Sequence, residues 1–185
     1  SAASDVYKRQ IHNVSGFSHL HAWTMGGLMI MPTTADLAIG NPSTDSPYRG
    51  ANAGYHSRIL KESETASPGY YSVYLYDHAV RAELTATTRC GVHRYTFPGE
   101  GQKQVVINLF DANGDDRATE TFIEQQDNHT VRGYRCSSGW SKQQRIYFTA
   151  RFSEPVTLEI YKDDKLVAGS SVERGINLKG CLLYT

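Results

Sequence analysis

At 185 residues the chain has room for one domain, or for a large piece of one. Its 19 lysines and arginines balance 19 aspartates and glutamates, with no clustered basic patch, so no nucleic-acid partner is expected. The longest candidate apolar run, residues 28–31, falls far short of the ~20 residues of a helical membrane span, and 12 tyrosines with abundant threonine favour strands over helices.

The two ends read as foreign to the rest. Residues 5–10, Asp-Val-Tyr-Lys-Arg-Gln, can be encoded by GAT GTG TAT AAG AGA CAG. The reverse complement of that string, shifted by one base, translates as Cys-Leu-Leu-Tyr-Thr, which is the sequence of residues 181–185. Both termini thus resemble one sequencing-library adapter, a transposon end, read on opposite strands. Residues 1–10 and 181–185 are therefore expected to be adapter-derived, and residues 11–180 to be a metagenomic fragment, a partial domain open at both ends. With Cys181 set aside, Cys90 and Cys136 remain, and the sequence leaves open whether they pair.

Residues 16–32 carry the densest chemistry. The run Gly-Phe-Ser-His-Leu-His-Ala-Trp puts His19, His21 and Trp23 at alternate positions before Gly26-Gly27 and an apolar run ending at Pro32. In an extended segment such positions share one face. Imidazole donors beside an indole plate suit a polyhydroxylated ligand, because the plate stacks on a ring face while the imidazoles bind hydroxyls. The competing reading is that these are core residues with one satisfied polar atom each. A His-x-His pair without a third ligand is weak evidence for zinc, and no metal site is expected here.

Further along, residues 61–66 are the one short helical candidate, with a polar loop as the alternative. Residues 70–75 follow a Ser-Pro-Gly turn and read as a strand, broken at 76–79. Residues 80–88 alternate Val80, Ala82, Leu84 and Ala86 with polar partners, the pattern of a half-buried strand. Residues 90–97 continue in the same style to Pro98-Gly99. Residues 104–110 are more continuously apolar, as expected of a strand covered on both faces. Residues 119–125 and 130–136 flank Asp127-Asn128, a hairpin turn, and residues 144–152 alternate again. Residues 156–161 and 166–171 flank a second hairpin at 162–165. Many short strands joined by turns predict an all-β fold, an antiparallel β-sandwich of supersandwich type.

Other motifs carry less. Residues 111–116, Asp-Ala-Asn-Gly-Asp-Asp, resemble the opening of a calcium loop. The glycine comes one step early and no glutamate follows at the twelfth position, so a turn is expected. Glu62 and Glu64 are closely spaced carboxylates, but their polar setting reads as a solvated loop. Asn13 and Asn128 open glycosylation sequons. Arg89, His93 and Arg94 read by default as cross-strand pairing residues, with a cleft lining as the alternative.

Three segments together resemble the N-terminal domain of glycoside hydrolase family 92, the calcium-dependent exo-acting α-mannosidases. They are residues 16–28, then 66–75 with 82–98, and finally 133–140 with 146–152. The resemblance covers roughly residues 12–162, in order and in spacing. It implies a β-sandwich packed on a C-terminal (α/α)6 barrel that holds the calcium, the catalytic acid and the catalytic base, none of them in this chain. Inversion requires the two carboxyl groups ~6.5–9.5 Å apart, with a water between them. The sandwich is then expected to lend His21, Trp23 and His19 to the substrate pocket for mannose-containing glycans, with Trp23 in the leaving-group subsite of enzymes acting on α-1,2 linkages. A secreted, periplasmic or cell-surface location is implied as well. The residues by themselves leave two other readings open: a non-catalytic carbohydrate-binding sandwich, and a structural or adhesive one.

Overall fold

The computed structural model describes residues 11–19, 28–34, 54–99, 101–112, 116–139 and 141–184. Within them the regular secondary structure is strand apart from a 3-10 turn, and every strand pairing is antiparallel. A small sheet pairs β1 (Ile11–Val14) with β3 (Ser57–Leu60). A four-stranded sheet runs β4 (Thr65–Ser67), β5 (Tyr70–Leu75), β6 (Val80–Ala86), β7 (Gly91–Thr96). The central sheet joins β2 (Met29–Thr33), β8 (Gln104–Asn108), β12 (Val156–Lys162), β13 (Lys165–Leu166) and β15 (Leu178–Tyr184), in the order β13-β12-β15-β8-β2. A second four-stranded sheet joins β9 (Arg117–Asp127), β10 (Thr130–Ser138), β11 (Gln144–Arg151) and β14 (Val172–Gly175), in the order β11-β10-β9-β14.

The central sheet is covered on both faces, and β8 shows it most plainly, since all five of its residues are buried. Val105 and Ile107 enter one core with Ile123, Val131, Leu158, Ile160 and Leu182, between the central sheet and the β9–β11 layer. Val106 points the other way, into a second core with Met31, Tyr55, Ile59, Val73, Leu75 and Val80. A strand with apolar residues at successive positions has no solvent face to offer, so it can only lie between two layers. Each such side chain contributes ~1.5–3 kcal/mol of burial.

The expected hairpins form. Thr130 sits opposite Asp127, and Lys162 opposite Lys165. In the second turn Asp163 and Asp164 both take positive φ, 51° and 62°, as a two-residue hairpin whose twist matches its strands requires. Two expectations need correcting. Residues 166–171 are not a strand: β13 stops at Leu166, and the chain turns through Gly169 (φ 74°) before β14 starts at Val172. Residues 61–66 hold a single 3-10 turn, Lys61–Ser63, rather than a helix, and then enter β4. Cys90 and Cys136 are unpaired. Residues 181–184, the tail singled out in the sequence, form the second half of β15, where Cys181 and Leu182 are buried between β12 and β8.

Two buried polar groups tie the layers together. His78, at the β5–β6 turn, takes the N–H of Thr34 at 3.4 Å and lies 3.2 Å from Thr33 Oγ1 through Nδ1, while its Nε2 meets the carbonyl of Tyr55 at 3.0 Å. Nδ1 accepting and Nε2 donating requires the neutral ring. Arg135, fully buried on β10, donates to Asp116 at 2.5 Å and to the carbonyl of Leu109 at 2.8 Å.

Candidate functional site

The segment that carries His19, His21 and Trp23 is pinned where it starts and where it ends. Phe17 and Ile30 form an isolated antiparallel bridge, with N–H···O distances of 2.8 and 3.0 Å in the two directions. Phe17 is buried in the second core, which fixes the stem. His19, two residues past the bridge, returns toward β7. His21 and Trp23 lie outside the described residues.

β7 is shaped to receive His19. Its alternation puts Gly91, His93 and Tyr95 on one face. A Cβ added to Gly91 would stand 2.2 Å from His19 Cδ2 and 2.4 Å from Nε2, so only glycine admits the imidazole there. His19 Nε2 lies 2.6 Å from His93 Nε2, with ring centroids 4.7 Å apart. His93 Nδ1 in turn lies 2.5 Å from the hydroxyl of Tyr95. The rings continue inward as an edge-to-face series, His93 to Tyr95 at 5.6 Å and Tyr95 to Phe97 at 6.5 Å. Tyr95 packs against both cores. The row therefore leads from the interior to an exposed imidazole.

The electrostatics keep the two inner members of this row, His93 and Tyr95, neutral. Burial, with His19 beside it, pushes the His93 imidazole down to about 4. Burial drives the Tyr95 phenol far above its ordinary value, so it stays protonated. Two imidazoles joined Nε2 to Nε2 share a single proton on that line, and a proton on both nitrogens would break the contact.

The remaining polar residues noted in the sequence are engaged elsewhere. Arg94 pairs with Glu83 across β6 and β7 at 2.7 Å, the cross-strand arrangement expected of it. That pair holds the Glu83 carboxyl down to about 2, with the Tyr70 hydroxyl assisting. Arg89 stays exposed. Glu64 accepts from Tyr71 at 2.6 Å, and Glu62 is exposed on the 3-10 turn. Asp111 accepts from Asn108 at 2.7 Å, and Asp116 is bound to Arg135. Among the described residues no three His, Cys, Asp or Glu side chains converge on a point that could hold a metal ion. What the region offers is a hydrogen-bonding imidazole at the foot of a segment held at both stems.

The whole chain, residues 1–185, matches the glycosyl hydrolase family 92 N-terminal domain. The chain belongs to glycoside hydrolase family 92. Solved structures agree. The family 92 α-mannosidase BT3965 of Bacteroides thetaiotaomicron is 29% identical, with a TM-score of 0.77 over 87% of this chain and 22% of its own. The family 92 glycosyl hydrolase ccman5 is 26% identical, with a TM-score of 0.73 over 94% of this chain and 24% of its own. The inverting family 92 mannosidase BT2199 of Bacteroides thetaiotaomicron VPI-5482, 21% identical with a TM-score of 0.64 over 85% of this chain and 19% of its own, shares the fold. No curated protein matches. This family 92 chain thus spans about a fifth to a quarter of the length of these structures.

Of the three residues singled out in the family 92 sequence, His19 is seated on β7. Of the residues that seat it, the sequence marks Gly91 only as part of a strand, and His93 as a cross-strand pairing residue with a cleft lining as the alternative. Their signal is the period of two that puts Gly91, His93 and Tyr95 on one face. Nothing in the pattern points to a partner 74 positions earlier.

Proposed function

We propose that this chain is the N-terminal sandwich of an inverting, exo-acting α-mannosidase that releases terminal mannose from glycans, with α-1,2-linked mannose as the preferred substrate. The observation that supports it is the full-length family 92 match, together with α-mannosidase BT3965 among its structural neighbours. The domain's part is to bind and orient: His21, Trp23 and His19 border the sugar, Trp23 stacking on the leaving-group residue and the imidazoles binding hydroxyls. The catalytic acid and base belong to a C-terminal (α/α)6 barrel of the longer protein. Calcium is assigned to that barrel as well; among the described residues Asp111 accepts a hydrogen bond from Asn108 and Asp116 one from Arg135. Work on glycans outside the cell fits a secreted, periplasmic or cell-surface enzyme.

The test is to recover the flanking DNA and express the longer protein. Mannose release from α-1,2-mannobiose is expected, with loss of release on calcium chelation and on Trp23→Ala. A frame that closes without a second domain, or a longer protein that releases no mannose, overturns the proposal. Tight mannobiose binding by the 185-residue chain alone would point instead to a carbohydrate-binding module.

A further inference from the structure

The hydrogen-bond chain from Tyr95 through His93 to His19 has a direction. Tyr95 contributes one proton, and its only hydrogen-bond partner among the described residues is His93 Nδ1, at 2.5 Å. Burial keeps that phenol protonated. A largely sheltered O–H with one acceptor in reach donates to it, because an unmade bond from a donor shielded from water is costly. His93 Nδ1 is then the acceptor, and in the neutral ring the proton must sit on Nε2. His93 Nε2–H points along the 2.6 Å line to His19 Nε2, which accepts. A neutral His19 that accepts through Nε2 carries its own proton on Nδ1. The ring meets Gly91 along its Cγ, Cδ2 and Nε2 atoms, which leaves the Nδ1 edge turned away from β7.

We infer that Tyr95 and His93 are positioning residues that fix the tautomer of His19, so that it presents an Nδ1–H donor to an oxygen acceptor of the glycan, a hydroxyl or the glycosidic oxygen. The inference rests on the reading that His19 borders the sugar. Its first half, the tautomer, stands without it. No proton is transferred; each of the three groups keeps one and donates it outward. Gly91 is the space that lets the relay end in an imidazole. With the relay reversed, His19 would offer a bare Nδ1 and would select a hydroxyl proton instead.

The experiment is long-range 15N–1H NMR of the imidazoles in the full chain, paired with kinetics of the longer enzyme on α-1,2-mannobiose. In the wild type His19 is expected to show a protonated Nδ1 and an unprotonated Nε2. Tyr95→Phe removes the donor that sets the direction, and both rings should move to mixed tautomers. His93→Gln keeps an amide N–H at the place of Nε2, and His19 should keep its wild-type signature. In the kinetics Tyr95→Phe should raise KM by roughly three- to tenfold with kcat little changed, and His93→Gln should stay within about twofold of the wild type. A His19 protonated on Nε2, or a signature indifferent to Tyr95→Phe, overturns the inference. If the NMR signature is as expected but neither Tyr95→Phe nor His19→Ala moves KM, the relay stands and its sugar-facing role is overturned.

Discussion

Two rows of rings cross this domain, and they end differently. On the outer face of the β9–β11 layer, Arg174, Phe122, Tyr134 and Tyr147 stand opposite one another on β14, β9, β10 and β11. Phe122 and Tyr134 stack at 5.4 Å, and Tyr147 leans on Tyr134 at 5.6 Å. The Arg174 guanidinium lies 5.9 and 5.8 Å from the Phe122 and Tyr134 centroids and reaches Glu120, which also takes the Tyr134 hydroxyl. Tyr147 is 70% exposed, the most exposed large hydrophobic residue described, and would attract a search for binding sites. Yet the ring faces of Phe122 and Tyr134 are spent on each other and on Arg174. The row through β7 is the reverse. Its rings are mostly sheltered, but its last member, His19, is exposed and keeps a nitrogen uncommitted by the relay. Exposure of aromatic area is thus a poorer guide to a site than the direction in which the polar atoms run out of partners.

The two rows can be separated by substitution, and the largest effect lies under the outer one. Gly133 precedes Tyr134 on β10, and a Cβ there would stand 2.2 Å from the backbone oxygen of Phe122. Backbone within a sheet cannot give way, so Gly133→Ala should cost about 3 kcal/mol, read as a lower urea midpoint. Gly91→Ala meets an equally close contact, but its neighbour is an exposed side chain that can swing out. Its stability should fall by no more than ~1 kcal/mol, while the His19–His93 contact disappears from the NMR spectrum. Comparable clashes with opposite readouts would confirm that one row is structural and the other poised at a surface.

Acid sharpens the same contrast. The His93 pKa is near 4 in the folded state against 6.5 unfolded, so between those values the unfolded chain binds a proton that the folded chain does not. Stability is therefore fully present above about pH 6.5 and declines as pH falls toward 4, by roughly 2 kcal/mol for a partly exposed ring. Denaturant midpoints measured from pH 7 to 4 should show this slope, and His93→Gln should flatten it. An unchanged slope in that variant would assign the acid lability to other groups.

The smallest expected effect is that of Tyr147→Ala on the outer row: about 0.5–1 kcal/mol of lost cross-strand stacking. It should leave glycan affinity unchanged. A drop in mannobiose binding in that variant would reverse the ranking of the two rows.

Much of the layering was legible because it is local. Alternation marked β6 and β11, a continuous apolar run marked β8, and turn residues marked the hairpins at 127–130 and 162–165. β1, β3 and β14 are four-residue strands whose partners lie tens of residues away, and no local pattern marks them. β15 follows the same rule, since it is central only because β12 and β8 flank it. The site divides in the same way. The alternating His19, His21 and Trp23 stood out as chemistry. His93 looked like a cross-strand residue, and its neighbour Arg94 is one. The difference is made by Gly91, which reads as an ordinary strand glycine until a ring is found where its side chain would be.

The bridge between Phe17 and Ile30 has an evolutionary consequence. With these two residues hydrogen-bonded to each other, the spacing of the stems is set by the bridge and not by the number of residues between them. Doubling the length of a flexible loop costs only ~0.6 kcal/mol of closure entropy. Changes of length between the stems can therefore be taken up without moving Phe17 or Ile30, which gives related domains one place to differ in length.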